Sequence, residues 1–158
     1  MIRKKSKGFT LIEVLVSLVI LSIGVLGLGI LQLTSLQNTQ GGYLRSQATI
    51  HAYSIIDSMR SNIPSVTAGN YAIAMNADAP QAVSCYGLEA DCSRAQMATA
   101  DLSRWRTVLD AHLPNGNGEV VTMDLGTTTR VMISVQWIDP YSAATGNETL
   151  TLMSELPK

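Results

Sequence analysis

Glu13 is the single charged side chain in the apolar run FTLIEVLVSLVILSIGVLGLGIL, Phe9 to Leu31. A carboxylate at the centre of a bilayer costs at least ~2.5 kcal/mol on insertion scales, so its presence there demands a purpose. Cys85 and Cys92 could form a disulfide, the usual state of such a pair in an oxidising compartment. Closing that loop would contribute about 2.5 kcal/mol if the native geometry is unstrained. A metal site on the same pair is the weaker reading, because neither histidine is near in sequence and there is no second cysteine pair. His51 and His112 are isolated in the sequence and carry no expected metal or catalytic role. Ser54 and Asp57 read as ordinary polar residues of a helix surface. No Gly-rich phosphate loop, nucleophile elbow or H-E-x-x-H is present. The chain is not expected to be an enzyme or to hold a cofactor.

The element that must position Glu13 is a helix. A run of 23 residues makes about 35 Å of helix, enough for a hydrocarbon core of about 30 Å. Arg3, Lys4, Lys5 and Lys7 precede it, and by the positive-inside rule they hold the N-terminus in the cytoplasm and send the rest outside. A secretory signal peptide has a shorter apolar region and ends in small residues at a cleavage site. Here QLTSLQNTQ follows Leu31, so the segment is expected to be retained. The remaining chain carries seven Lys and Arg against twelve Asp and Glu, a net −5 within the overall −1. With its basic cluster confined to the extreme N-terminus, it is not expected to bind nucleic acid.

After the apolar run the pattern becomes periodic. Leu44, Ala48, Ala52, Ile55, Met59 and Ile63 form one stripe at helical spacing, which predicts one long helix from about Thr10 to about Asn62. Gly24, Gly27, Gly29, Gly41 and Gly42 each weaken a helix by up to ~1 kcal/mol relative to alanine. They read as places of bending or, in a membrane helix, as close-packing contacts. Residues 64–92 have no strong period and read as a loop ending at the cysteines. A second helix starts at about Ser93, with Ala98, Leu102, Trp105, Leu109 and Leu113 on one face, and ends at PNGNG. Beyond it the period is two. Val121, Met123 and Leu125 alternate with Thr122 and Asp124, and Val131, Ile133, Val135 and Trp137 alternate with Met132, Ser134 and Gln136. These runs predict an antiparallel hairpin, and ETLTLMS a third strand with Leu150 and Leu152 on one face. Trp105 and Trp137 are expected in the core. The fold class is α+β, a long N-terminal helix packed on a three-stranded antiparallel sheet.

KGFTLIEVLVSLVIL resembles the N-terminal signature of type IV pilins and type II secretion pseudopilins. The resemblance implies a type IV pilin-like fold and a basic leader that a membrane-embedded prepilin peptidase removes after Gly8. The same peptidase would methylate the new terminal residue, Phe9. It also gives Glu13 a task. The cationic amine on Phe9 of one subunit would meet Glu13 of its neighbour in a filament, and a wrong register would leave both charges unpaired. At about 4 Å and an effective dielectric near 20 the attraction is ~4 kcal/mol, against a desolvation cost of similar order. The alternative is a Glu13 that snorkels to the cytoplasmic headgroups.

RSQATIHAYSIIDSMRSN, ADLSRWRTVLDAHLPNGNGEV and VMISVQWID look like minor pilins of the PilV kind, the type IV pilus modification proteins. That implies a low-abundance subunit that primes assembly and forms the pilus tip with other minor pilins, next to the major pilin and able to carry an adhesin. It would start in the inner membrane, head periplasmic, and end at the pilus tip. The implied organisation is a leader (1–8), a transmembrane and filament-core helix half (9–31), an amphipathic half (32–63) and a globular head (64–158). A minor pseudopilin of type II secretion is the alternative. A membrane-anchored periplasmic binding module outside any filament is the third reading.

Overall fold

The computed structural model describes residues 8, 10–87, 91–140 and 146–158. The elements are α1 (Leu11–Ser61), α2 (Ile63–Thr67), α3 (Arg94–His112), β1 (Asn117–Asp124), β2 (Thr128–Ile138) and β3 (Asn147–Pro157). The chain divides into two units, Met1–Gln40 and Gly41–Lys158. In the first, α1 is apolar on every side from Val14 to Leu31, and none of its residues up to Gln40 is buried. Gly24, Gly27, Gly29, Gly41 and Gly42 all lie within helical backbone. The cost of these glycines does not break α1.

In the second unit α1 presents its stripe: Ala48, Ala52, Ile55, Ile56 and Met59 are buried, with Leu44 and Ile63 packed at the margin. The helix stops at Ser61 because Pro64 has no N–H to donate back along it and its ring clashes with the preceding turn. The proline instead serves the first turn of α2, where a missing N–H costs nothing. The stretch 64–92, read from sequence as a loop, therefore begins with a short helix. It also pairs with the sheet at one point, Ile73 with Val120. Neither feature has a periodic signature, because a five-residue helix and a single bridge are shorter than any period can show.

Ser93 caps α3: its hydroxyl accepts from the Gln96 N–H, and the Gln96 side chain accepts from the Ser93 N–H. This capping box satisfies two donors that a helix start leaves free. Ala98, Leu102, Trp105, Leu109 and Leu113 are buried, and so is Trp137 of β2. Each fully buried aliphatic side chain contributes about 1.5–3 kcal/mol relative to exposure.

The sheet has order β1-β2-β3, antiparallel throughout. Val131, Ile133 and Val135 of β2 form its buried centre, flanked by Val120 on β1 and by Leu150 and Leu152 on β3. The apolar alternation Val121, Met123, Leu125 marks the opposite, exposed face. The inward residues of β1 are Gly118 and Val120, because the Trp105 ring and Leu109 occupy the space where a Cβ on Gly118 would stand. In the PNGNG turn the left-handed backbone falls to Asn115, at φ 51°.

A disulfide joins Cys85 and Cys92, whose Cα atoms are 5.7 Å apart. Cys85 is buried. Thiol labelling of the unreduced, denatured protein is expected to find neither sulfur free. Quantitative labelling of both would overturn the assignment of the head to an oxidising compartment.

Candidate functional site

At the N-terminal end Gly8 is exposed, and a Cβ added there would meet no atom of the described residues within 4 Å. Phe9 lies outside the described residues. Thr10 opens the helix, its carbonyl accepting from the Glu13 and Val14 N–H groups at 3.1 and 3.3 Å. Glu13 thus stands in the first turn of α1 with its side chain exposed. The positive end of the helix dipole favours an anion there.

The following side chains, Leu11 to Leu36, form a continuous exposed apolar surface. Its hydroxyls do not interrupt it. Ser17 donates to the Glu13 carbonyl, Ser22 to that of Leu18 and Thr34 to that of Ile30. Each polar hydrogen is spent on the helix's own backbone, which lipid requires of any group that cannot reach water. The helix is long and apolar enough to cross a membrane.

The head holds a second polar cluster, around Asp101. Tyr71 donates to one carboxylate oxygen of Asp101 and Tyr86 to the other at 2.7 Å. Asn62 donates to the Tyr71 hydroxyl at 3.4 Å and to the Arg94 carbonyl at 2.8 Å. Burial, and then the bond to Asp101, push both phenols above their usual pKa, so they remain protonated donors. Arg104 lies over the Tyr86 ring, 5.3 Å from its centroid. Arg106 donates to the carbonyls of Ala74, Met75 and Ala77. Together these groups fasten the irregular stretch between α2 and α3 onto α3, beside the disulfide. Sequence reading missed them. The available signal was the position of Asp101 and Arg106 on the buried side of α3, among Ala98, Leu102, Trp105 and Leu109.

His51 and His112, read as isolated, are neighbours in space with ring centroids 5.2 Å apart. The Trp105 indole N–H donates to the His51 carbonyl at 2.9 Å, which ties α3 to α1 at this point. Burial, and then the charge of His112, lower the pKa of His51. Ser54 stays a surface residue, its hydroxyl bonded to the His51 carbonyl, and Asp57 pairs with Arg60 on the exposed helix face.

Residues 3–29 match the family described as the prokaryotic N-terminal methylation motif. The chain carries a prokaryotic N-terminal methylation motif. The match covers 27 of the 158 residues and ends within the apolar run. The α+β architecture, a long helix followed by a three-stranded antiparallel sheet, is type IV pilin-like. No curated protein and no solved structure matches the chain.

Proposed function

We propose that this protein is a minor pilin that primes a type IV pilus and sits at its tip with other minor pilins. The observation that carries the reading is the methylation motif laid over an apolar helix exposed on every side, with Glu13 in its first turn. A helix hydrophobic all round is stable only in lipid or among other helices. The motif's chemistry provides for both in turn. Before cleavage, α1 anchors the subunit in the inner membrane. After cleavage behind Gly8 and methylation of Phe9, the same surface packs into a filament core, where Glu13 pairs with a neighbour's terminal amine. Prepilin peptidase, the major pilin and the other minor pilins are the partners, and a tip adhesin is a further one.

The roles of the segments follow: 1–8 the removed leader, 9–31 the membrane and filament-core half, 32–63 the amphipathic half, 64–158 the periplasmic head. The minor role rests on the resemblance of three patches, one at the end of the long helix and two in the head, to type IV pilus modification proteins. A tip or priming subunit acts once per fibre. Deletion of the gene is therefore expected to reduce surface pili and twitching motility far beyond what the protein's abundance suggests, with exoenzyme secretion intact. The opposite pattern, normal pili and lost secretion, identifies a type II secretion pseudopilin. An uncut leader in N-terminal sequencing of the membrane protein identifies a binding module outside any filament.

A further inference from the structure

We infer that the outer edge of β3 is a site for strand addition, taken by an extended strand of a different pilin subunit with alternating apolar side chains and a basic residue. The identity of that partner rests on the minor-pilin reading; the edge itself rests on the sheet. β3 runs for 11 residues and pairs with β2 along all of them, without a bulge. Strands are commonly about 5–6 residues long. The sheet ends at β3, in the order β1-β2-β3. Residues of an antiparallel strand turn their N–H and C=O alternately to either side, so about half of β3 offers its backbone away from β2. Among the described residues, Thr149–Ser154 make no backbone hydrogen bond beyond those of the ladder with β2.

The opposite edge of the sheet is guarded. There Ile73 and Val120 of β1 exchange N–H to C=O bonds at 3.0 and 2.9 Å. Native proteins blunt an open edge with a short strand, a charge, a proline or a bulge. TLTLMS, Thr149–Ser154, holds no charge, proline or glycine. An uncharged, proline-free segment of this length on an open edge is a template for pairing with another chain.

The edge also specifies its occupant. A row of outward amides and carbonyls is matched by an extended backbone and not by the face of a helix. On the inner side of the sheet Leu150 and Leu152 are only partly buried, at the margin of the core. A strand beside them that is apolar at every second position completes their cover. Thr149, Thr151 and Met153, on the outer side, are exposed. β3 carries Glu148 and Glu155 and no basic residue, in a chain with seven Lys and Arg against twelve Asp and Glu after its first eight residues. Arg130 of β2 reaches Glu155 across the ladder at 2.6 Å, and a basic residue on the added strand would repeat such a cross-strand pair. A second copy would bring the same acidic edge, and a subunit used once per fibre has no second copy beside it.

The test is amide hydrogen exchange on the full-length protein in detergent micelles, alone and in complex with the other minor pilins co-expressed with it. Alone, peptides covering Thr149–Ser154 are expected to exchange quickly. In the complex they are expected to exchange at least about tenfold more slowly, as newly bonded amides do. Leu152→Lys places a charge on the inner side of the edge and is expected to abolish the complex. Met123→Lys, at an exposed position on the outer face of β1, is expected to leave it intact. The wild-type exchange decides the matter even where Leu152→Lys does not fold. A complex with unchanged exchange along β3 would overturn the proposal. Its loss in Met123→Lys would also do so, since docking would then lie on the sheet face. Protection that appears in the isolated protein as its concentration rises would overturn the choice of partner in favour of a second copy. The absence of any complex would overturn the minor-pilin reading as well.

Discussion

Replacing Glu13 by alanine is expected to leave the protein in the membrane and to lower its entry into the filament. Insertion is unharmed because the change deletes a charge from an apolar helix, a gain of at least ~2.5 kcal/mol if the site is central in the bilayer. Folding is unharmed too, since the Glu13 side chain is exposed. On the proposed pairing, what would be lost is the partner of the terminal amine on a neighbour's Phe9. The pair is worth ~4 kcal/mol at about 4 Å and a dielectric near 20, offset by desolvation. The variant, however, leaves the amine both desolvated and unpaired. A net loss of only ~1.4 kcal/mol is a tenfold fall in occupancy. Comparing the variant's content in membranes and in sheared pili by immunoblot measures this directly. Equal incorporation of variant and wild type would end the register argument and leave Glu13 as a snorkelling side chain.

Blocking the leader cut is expected to have a still more complete effect. A Gly8→Leu substitution should yield protein that keeps residues 1–8, with no methyl group on Phe9 and no entry into filaments. The reasoning separates the enzyme's requirement from the substrate's fold. A Cβ on Gly8 touches nothing among the described residues, so they do not resist the larger side chain. A protease that must draw the backbone close does resist it. Intact-mass measurement of membrane protein decides the matter. A wild-type mass that includes residues 1–8 would refute the cleavage itself, and a processed Gly8→Leu protein would refute the need for glycine.

The elements whose residues repeat were legible from the amino acids alone. The stripe from Leu44 to Ile63, the face from Ala98 to Leu113 and the alternation of Val131 to Trp137 each bury what their spacing announces. β1 shows why periodicity alone misleads about sides. Its outward residues Val121 and Met123 are more conspicuous than its inward Gly118, which is glycine so that Trp105 can take the space. In sheet register Val121, Met132 and Met153 lie side by side, on the face turned away from the core. The stretch between α2 and α3 was illegible for another reason. Its order comes from side chains reaching across some thirty residues, Tyr71 to Asp101 and Arg106 to the Ala74 carbonyl, and no local pattern encodes such pairings. The approach of His51 to His112 was hidden in the same way, one ring on each of two helices.

The strand order has a consequence for how the head acquires its structure. Because β1, β2 and β3 lie side by side in the order of the chain, each ladder closes only a short loop. The entropy lost in closing a loop grows with the logarithm of its length, about 0.6 kcal/mol for each doubling. The hairpin of β1 and β2 turns at Gly126 with φ 89° and closes with the Leu125 N–H on the Thr128 carbonyl. The contact of Trp105 with the His51 carbonyl spans 54 residues, and β2 lies further still from the α1 stripe it covers. The sheet is therefore the cheapest part of the head to assemble. Docking of the stripe on α1 carries the largest closure cost and turns three paired strands into a core.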